Sequence, residues 1–132
     1  IDWFDNKFYR EVSKIIINER VEKRFRSIEK GGGLPNTELI RMAIGTMNNH
    51  LKYMEYLLER RFWLVTNKIE LADLTAASHI SCLDYLGDIP WEKFPEIKLW
   101  YSRIKSRPSF RSILTDKIVG IPPRGNYALL DF

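Results

Sequence analysis

The stretch Ile69-Glu70-Leu71-Ala72-Asp73-Leu74-Thr75-Ala76-Ala77-Ser78-His79-Ile80-Ser81 decides the fold. It reads as an abrupt helix start followed by turns of small and apolar residues. Asp73 stands where a first-turn carboxylate reaches back to free backbone N–H groups and meets the positive end of the helix dipole. Ile69 and Leu74 lie one before the cap and four after it, the spacing of a hydrophobic staple. Glu70 occupies the cap position, where its longer side chain does not close the short ring that Ser or Thr makes. The aspartate half of the reciprocal cap and the staple are therefore expected to carry the start. Beyond it, Ala72, Ala76, Ala77, Ser78, Ser81 and Cys82 bring almost no bulky polar group. That predicts a helix at the centre of a bundle, where neighbours approach closely.

Outward from this element the chain reads as helices throughout. On the N-terminal side, Phe4, Phe8, Val12 and Ile15 or Ile16 recur at three- and four-residue spacing, and Val21, Phe25 and Ile28 continue on a rotated face. This predicts a long helix to about Lys30 that bends or changes neighbours near Ile15-Ile16-Ile17. Gly31-Gly32-Gly33-Leu34-Pro35 closes it as a turn. A phosphate loop is excluded there, because no Gly-Lys-Ser/Thr follows and no strand precedes. Asn36 caps the next helix, whose stripe of Ile40, Ile44, Met47, Leu51, Met54 and Leu58 gives the cleanest amphipathic pattern in the chain. The short connection makes the two long helices an antiparallel hairpin. Phe62 to Lys68 is an apolar run closed by a polar turn, with Trp63 packing on the base of the bundle.

The central helix is expected to end at Tyr85-Leu86-Gly87. Pro95 opens another helix with an apolar face of Ile97, Trp100, Tyr101 and Ile104. Arg107-Pro108 breaks that helix, and one short helix runs to about Leu114. No useful strand alternation appears, so the fold class is all-α. Residues 1–119 form the helical domain. Residues 120–132 form a tail made extended by Pro122-Pro123, whose Tyr127, Leu130, Asp131 and Phe132 pack on the bundle or reach a partner protein.

The bulk composition narrows the function classes. A chain of 132 residues with 45% hydrophobic and 29% charged side chains is one ordinary globular domain. No apolar run approaches the roughly 20 residues of a membrane span, so no membrane partner is expected. Net charge is +4, from 21 basic against 17 acidic residues. The densest basic cluster, Arg20 to Arg26, contains Glu22 and can pair with Glu19 along a helix, which argues for a solvated face rather than a nucleic-acid footprint. A single Cys82 excludes an internal disulfide and fits a reducing, cytoplasmic compartment. His50 and His79 lie on different helices with no ligand partner at metal spacing, so no metal is expected. No nucleophile, base and orienting group can be assembled, and no catalytic residue is assigned.

The helix start beginning Ile69-Glu70-Leu71-Ala72-Asp73-Leu74, followed by Trp100-Tyr101-Ser102-Arg103-Ile104-Lys105-Ser106-Arg107-Pro108-Ser109-Phe110, resembles the helical C-terminal domain of the glutathione S-transferase superfamily. The resemblance covers residues 2–110 and implies a bacterial transferase-like protein. In that superfamily a thioredoxin-like N-terminal domain binds glutathione and activates its thiol, while the helical domain supplies a pocket wall and dimer contact. It therefore implies a thioredoxin-like partner domain, a homodimer, and glutathione as cofactor of the intact protein, with none bound by this chain alone. By position, Phe4, Phe8, Tyr9 and Val12 become the expected wall of the electrophile pocket, and a core or dimer role for them stays equally open. A narrower resemblance rests on Asp84 to Trp91, Arg103 to Arg111, Gly120-Ile121-Pro122-Pro123 and the closing Tyr127-Ala128-Leu129-Leu130-Asp131-Phe132. These look like the alphaproteobacterial FzlA-like branch, which implies an alternative: a non-catalytic interaction module whose partner is the cell-division protein FtsZ.

Overall fold

The computed structural model describes residues 3–27, 29, 31–64, 68–118, 121–124 and 127. Five helices account for most of them. Helix α1 is continuous through Trp3–Ser13, Lys14–Ile17, Asn18–Glu22 and Lys23–Phe25. It is followed by α2 (Thr37–Leu58), α3 (Leu71–Tyr85), α4 (Pro95–Lys105) and α5 (Pro108–Leu114), with a single tight turn at Trp91–Lys93 before α4. Among the described residues the only β pairing is an isolated bridge between Ile118 and Ile121. The all-α expectation is met.

Two stretches of α1, Trp3–Ser13 and Asn18–Glu22, are wound in wide turns with i→i+5 bonding. The buried residues Phe4, Phe8, Val12 and Ile16 fall at a strict four-residue interval. In an α-helix each such step overshoots a full turn by roughly 40°, so the stripe would drift off the core within a few turns. Wider turns hold it on one face, which suits the interval. The helix stops at Phe25, where Arg26 turns extended, short of the expected Lys30. Ile28 and Lys30 lie outside the described residues, and Phe25 is exposed.

Glu19 ties the end of α1 to the start of α2. It is buried, bonded to the Lys23 ammonium at 2.7 Å, and accepts the Asn36 N–H at 2.6 Å. Burial pushes its carboxyl up, but Lys23, the Asn36 N–H and Asn18 outweigh that and hold it below the usual carboxylate range. Asn36 in turn caps α2 by accepting the Glu38 and Leu39 N–H groups. At the hairpin turn a Cβ on Gly32 would lie 1.9 Å from the Arg26 carbonyl oxygen, so the close backbone approach there needs glycine.

The expected stripe of α2 is buried except Ile44, which is half-buried, and Ala43 and His50 join it. On α4, Ile97, Trp100, Tyr101 and Ile104 are all fully buried. Glu55 of α2 reaches across to accept the Glu96 and Ile97 N–H groups, which satisfies the open N-terminus of α4. Trp63 is half-buried against the core, and Arg103 lies over the Phe62 and Trp63 rings while donating to the Phe62 carbonyl at 2.7 Å.

Helix α3 packs through Asp73, Ala76, Ala77, Ile80, Leu83 and Asp84, but it is not covered all round. Leu71, Ser78 and Cys82 are exposed on one side. The position expected for Cys82 inside the bundle is thereby corrected: it sits on the open face.

Candidate functional site

Asp73 is the structural hub. It is fully buried, and its two oxygens accept three hydrogen bonds. Oδ2 takes the Glu70 N–H at 2.9 Å; Oδ1 takes the Leu64 N–H at 2.8 Å and the Trp100 indole N–H at 2.9 Å. One carboxylate thus fastens the helix start, the loop before it and the facing helix α4. The Glu70 side chain also closes toward the Asp73 N–H in a reciprocal box, though without hydrogen-bond geometry, and the Glu70 carbonyl takes that N–H at 3.0 Å. The aspartate half thus makes the side-chain hydrogen bond of the reciprocal cap, and the Glu70 side chain adds only its approach. Ile69 and Leu74 are both half-buried against the core, while Leu71 between them faces outward.

The open face of α3 lies opposite α1, and a groove runs between them. One cavity of about 340 Å³ is lined by Ile17 and Val21 of α1, Cys82 and Tyr85 of α3, and Ile113, Ile118 and Tyr127 beyond it. A second, of about 230 Å³, is lined by Tyr9, Ser13 and Ile17 with Ser78, His79 and Cys82. The two meet at Ile17 and Cys82. Of the four residues expected on a pocket wall, only Tyr9 lines this groove. Phe4, Phe8 and Val12 are buried in the domain core instead, because the strict four-residue stripe turns them toward α2 and α3.

Among the described residues the groove holds polar groups but no activated nucleophile. The His79 ring lies 3.1 Å from Asp5 and packs among Phe4, Phe8 and Tyr9, which makes it a bonded structural residue. Although Cys82 is exposed, desolvation by its packed neighbours pushes its thiol up, and a hydrogen bond with Ser81 opposes this only in part. A thiol so placed stays protonated near neutrality. Neither histidine has metal-binding company, for no group of three or more His, Cys, Asp or Glu side chains gathers among the described residues. No described helix is long and apolar enough to cross a membrane.

The C-terminal segment is latched at the groove's end by Tyr85. Its hydroxyl accepts the Ile118 N–H at 2.9 Å and donates to the Ile121 carbonyl, while its own carbonyl accepts the Arg124 N–H at 3.0 Å. Tyr127 is buried edge-on against the Tyr85 ring, its centroid 5.0 Å away, and donates to the Ile113 carbonyl. Burial first, then nearby Cys82 and Asp84, push the Tyr127 phenol up to about 12. Of the four tail residues singled out in the sequence, Tyr127 is described; Leu130, Asp131 and Phe132 lie outside the described residues.

With this geometry established, the family described as "Glutathione S-transferase, C-terminal domain" matches residues 36–108. The chain belongs to that family. Solved structures agree in detail. The domain is similar to a glutathione S-transferase from Sinorhizobium meliloti, with TM-score 0.95 and 40% identity over 99% of this chain and 57% of that one. A glutathione S-transferase from Rhodospirillum rubrum gives TM-score 0.91 and 45% identity over 99% and 57%. FzlA from C. crescentus gives 0.92 and 42% over 99% and 56%. Among curated proteins, FtsZ-localized protein A of Caulobacter vibrioides is 42% identical over all 132 residues. This transferase C-terminal domain spans 56% of that relative's length. The hub Asp73, which bonds the loop, the cap and α4, thus lies within the span that the family matches.

Two features were not read from the sequence. Leu39, Met42, Tyr53 and Tyr56 form an exposed second stripe along α2, visible as spacing but hidden behind the stronger buried stripe. Arg20 pairs with Asp88 at 2.7 Å across 68 residues, a contact with no local signal.

Proposed function

We propose that this chain is the electrophile-pocket and dimerisation half of a bacterial glutathione S-transferase-like protein. Glutathione and its thiol-activating group belong to a thioredoxin-like domain of the intact protein. The observation that carries this reading is the groove between α1 and α3. It has apolar walls, it is large enough for a small organic molecule, and it contains no activated nucleophile of its own. In this arrangement Tyr9 and Ile17 contact the electrophile. The exposed α2 stripe meets a second copy, since four large apolar side chains on one helix face suit a protein interface.

A second reading is favoured by the 42% identity to a protein named for its FtsZ localisation. Here the same domain is a non-catalytic module that captures FtsZ through its tail. Two assays on the full-length protein separate the readings: glutathione titration by calorimetry, and FtsZ pull-down with and without the residues after Gly120. Glutathione binding without FtsZ capture supports the transferase. Tail-dependent FtsZ capture without glutathione binding overturns it in favour of the module.

A further inference from the structure

Away from the groove, three arginines converge at the corner where α1, the end of α3 and the tail meet. Arg20 and Arg24 stand one turn apart on α1, and Arg124 arrives from the tail. Together with Pro35, Leu86 and Ile121 they line a small cavity of about 50 Å³. Two of the three are positioned by something other than a ligand. Arg20 is held by Asp88 at 2.7 Å, and its Nε is buried without a hydrogen-bond partner. The stem of Arg124 lies against Gly87, close enough that a Cβ there would be 3.0 Å from its own Cβ, and its N–H is bonded to the Tyr85 carbonyl. Among the described residues the guanidinium groups of Arg24 and Arg124 have no hydrogen-bond or ion-pair partner. Asp88 pairs with Arg20, and Glu19 close by is taken up by Lys23 and the Asn36 N–H, while the cavity lining itself carries three arginines and no carboxylate.

The chemistry of the walls selects the ligand. Guanidinium groups bind oxyanions through paired N–H donors, and three of them from different directions suit a tetrahedral, multiply charged group better than a single carboxylate. Pro35, Leu86 and Ile121 back one side of the corner, while Arg24 and Arg124 stand open to solvent on the other. The volume admits an ion of a few heavy atoms and excludes a drug-sized molecule. We infer that Arg20, Arg24 and Arg124 form a site for a phosphate group, either the free ion or the phosphoryl end of a small metabolite. Because Arg124 belongs to the tail and Arg24 to α1, the bound group would bridge the two. The corner shares Leu86 with the larger cavity of the groove, but none of its three arginines lines that cavity.

The test titrates inorganic phosphate into the full-length protein by calorimetry, with ionic strength held constant by sodium chloride. Saturable binding is expected, weakened tenfold or more by Arg24→Gln and by Arg124→Gln. Arg111→Gln, on the exposed face of α5, should leave it unchanged. Circular-dichroism melts confirm that each variant is folded. A parallel titration with glycerol 3-phosphate distinguishes the sources: tighter binding identifies a phosphorylated metabolite, equal binding the free ion, and both support the site. No saturable heat with either probe overturns it, as does an equal loss in the Arg111→Gln control.

Discussion

Asp73 has three partners drawn from three parts of the chain, so its removal should exceed the loss of an ordinary helix cap. A lost cap alone costs about 1 kcal/mol. Asp73→Ala also strands the buried Leu64 N–H and Trp100 indole N–H, each an unsatisfied donor worth about 1–3 kcal/mol. The expected loss is about 3–7 kcal/mol, read as a lower urea midpoint. Leu74→Ala should be milder, about 1–2 kcal/mol, because Leu74 is only half-buried. His50 makes a separate prediction about pH. Burial pushes its imidazole below the ordinary value; Glu11 opposes this and Lys7 adds to it. The folded state therefore binds that proton less readily than the unfolded chain. Stability should be complete above the ordinary imidazole value and fall as pH drops through it. His50→Gln should flatten the urea midpoint between about pH 7.5 and 5.5.

At the scale of the element, α3 ends in a tightly specified turn. The Gly87 N–H bonds the Asp84 carbonyl at 2.9 Å, the Asp88 N–H bonds the Leu83 carbonyl at 3.0 Å, and Gly87 has φ of 81°. This is the paired closure that favours glycine at the position after the cap. Gly87→Ala should cost about 1–2 kcal/mol from backbone strain, seen as a lower melting temperature. For α2, Met42→Glu combined with Tyr53→Glu should convert a dimer of the full-length protein to monomer by light scattering. An unchanged mass would remove that stripe from the proposed interface. Helix α2 was legible from its period and its Asn36 cap, α4 from its period and leading proline, α5 from its proline, and α3 from Asp73 in its first turn. The wide turns of α1 were not, since over a few turns apolar residues at three- and four-residue spacing read as an ordinary amphipathic helix. Of the four residues expected on a pocket wall only Tyr9 lines the groove, because an aromatic facing the core and one facing a cavity look alike in sequence.

Across the whole molecule, what escaped sequence reading is what connects distant segments: Arg20 to Asp88, Asp73 to Trp100, Tyr85 to the tail. Such pairs have no periodicity to betray them. The Tyr85 latch is the one whose loss should be felt furthest. Tyr85→Phe keeps the ring against Tyr127 but leaves the Ile118 N–H and Ile121 carbonyl without their shared hydroxyl. Chymotryptic cleavage at Tyr127 should become several-fold faster, while the far-ultraviolet spectrum stays helical. Resistance equal to the parent would mean that the latch does not hold the segment closed.

The same latch has a consequence on the ribosome. Tyr85 is made roughly 40 residues before the tyrosine that packs on it, an interval of about 2–8 seconds at ordinary rates of synthesis. Helices α4 and α5 are made within that time; in its last part the domain has its helices but not its closing segment, and the apolar lining of the larger cavity stays wet. That nascent interval, rather than any state of the finished protein, is when a chaperone has the most to hold.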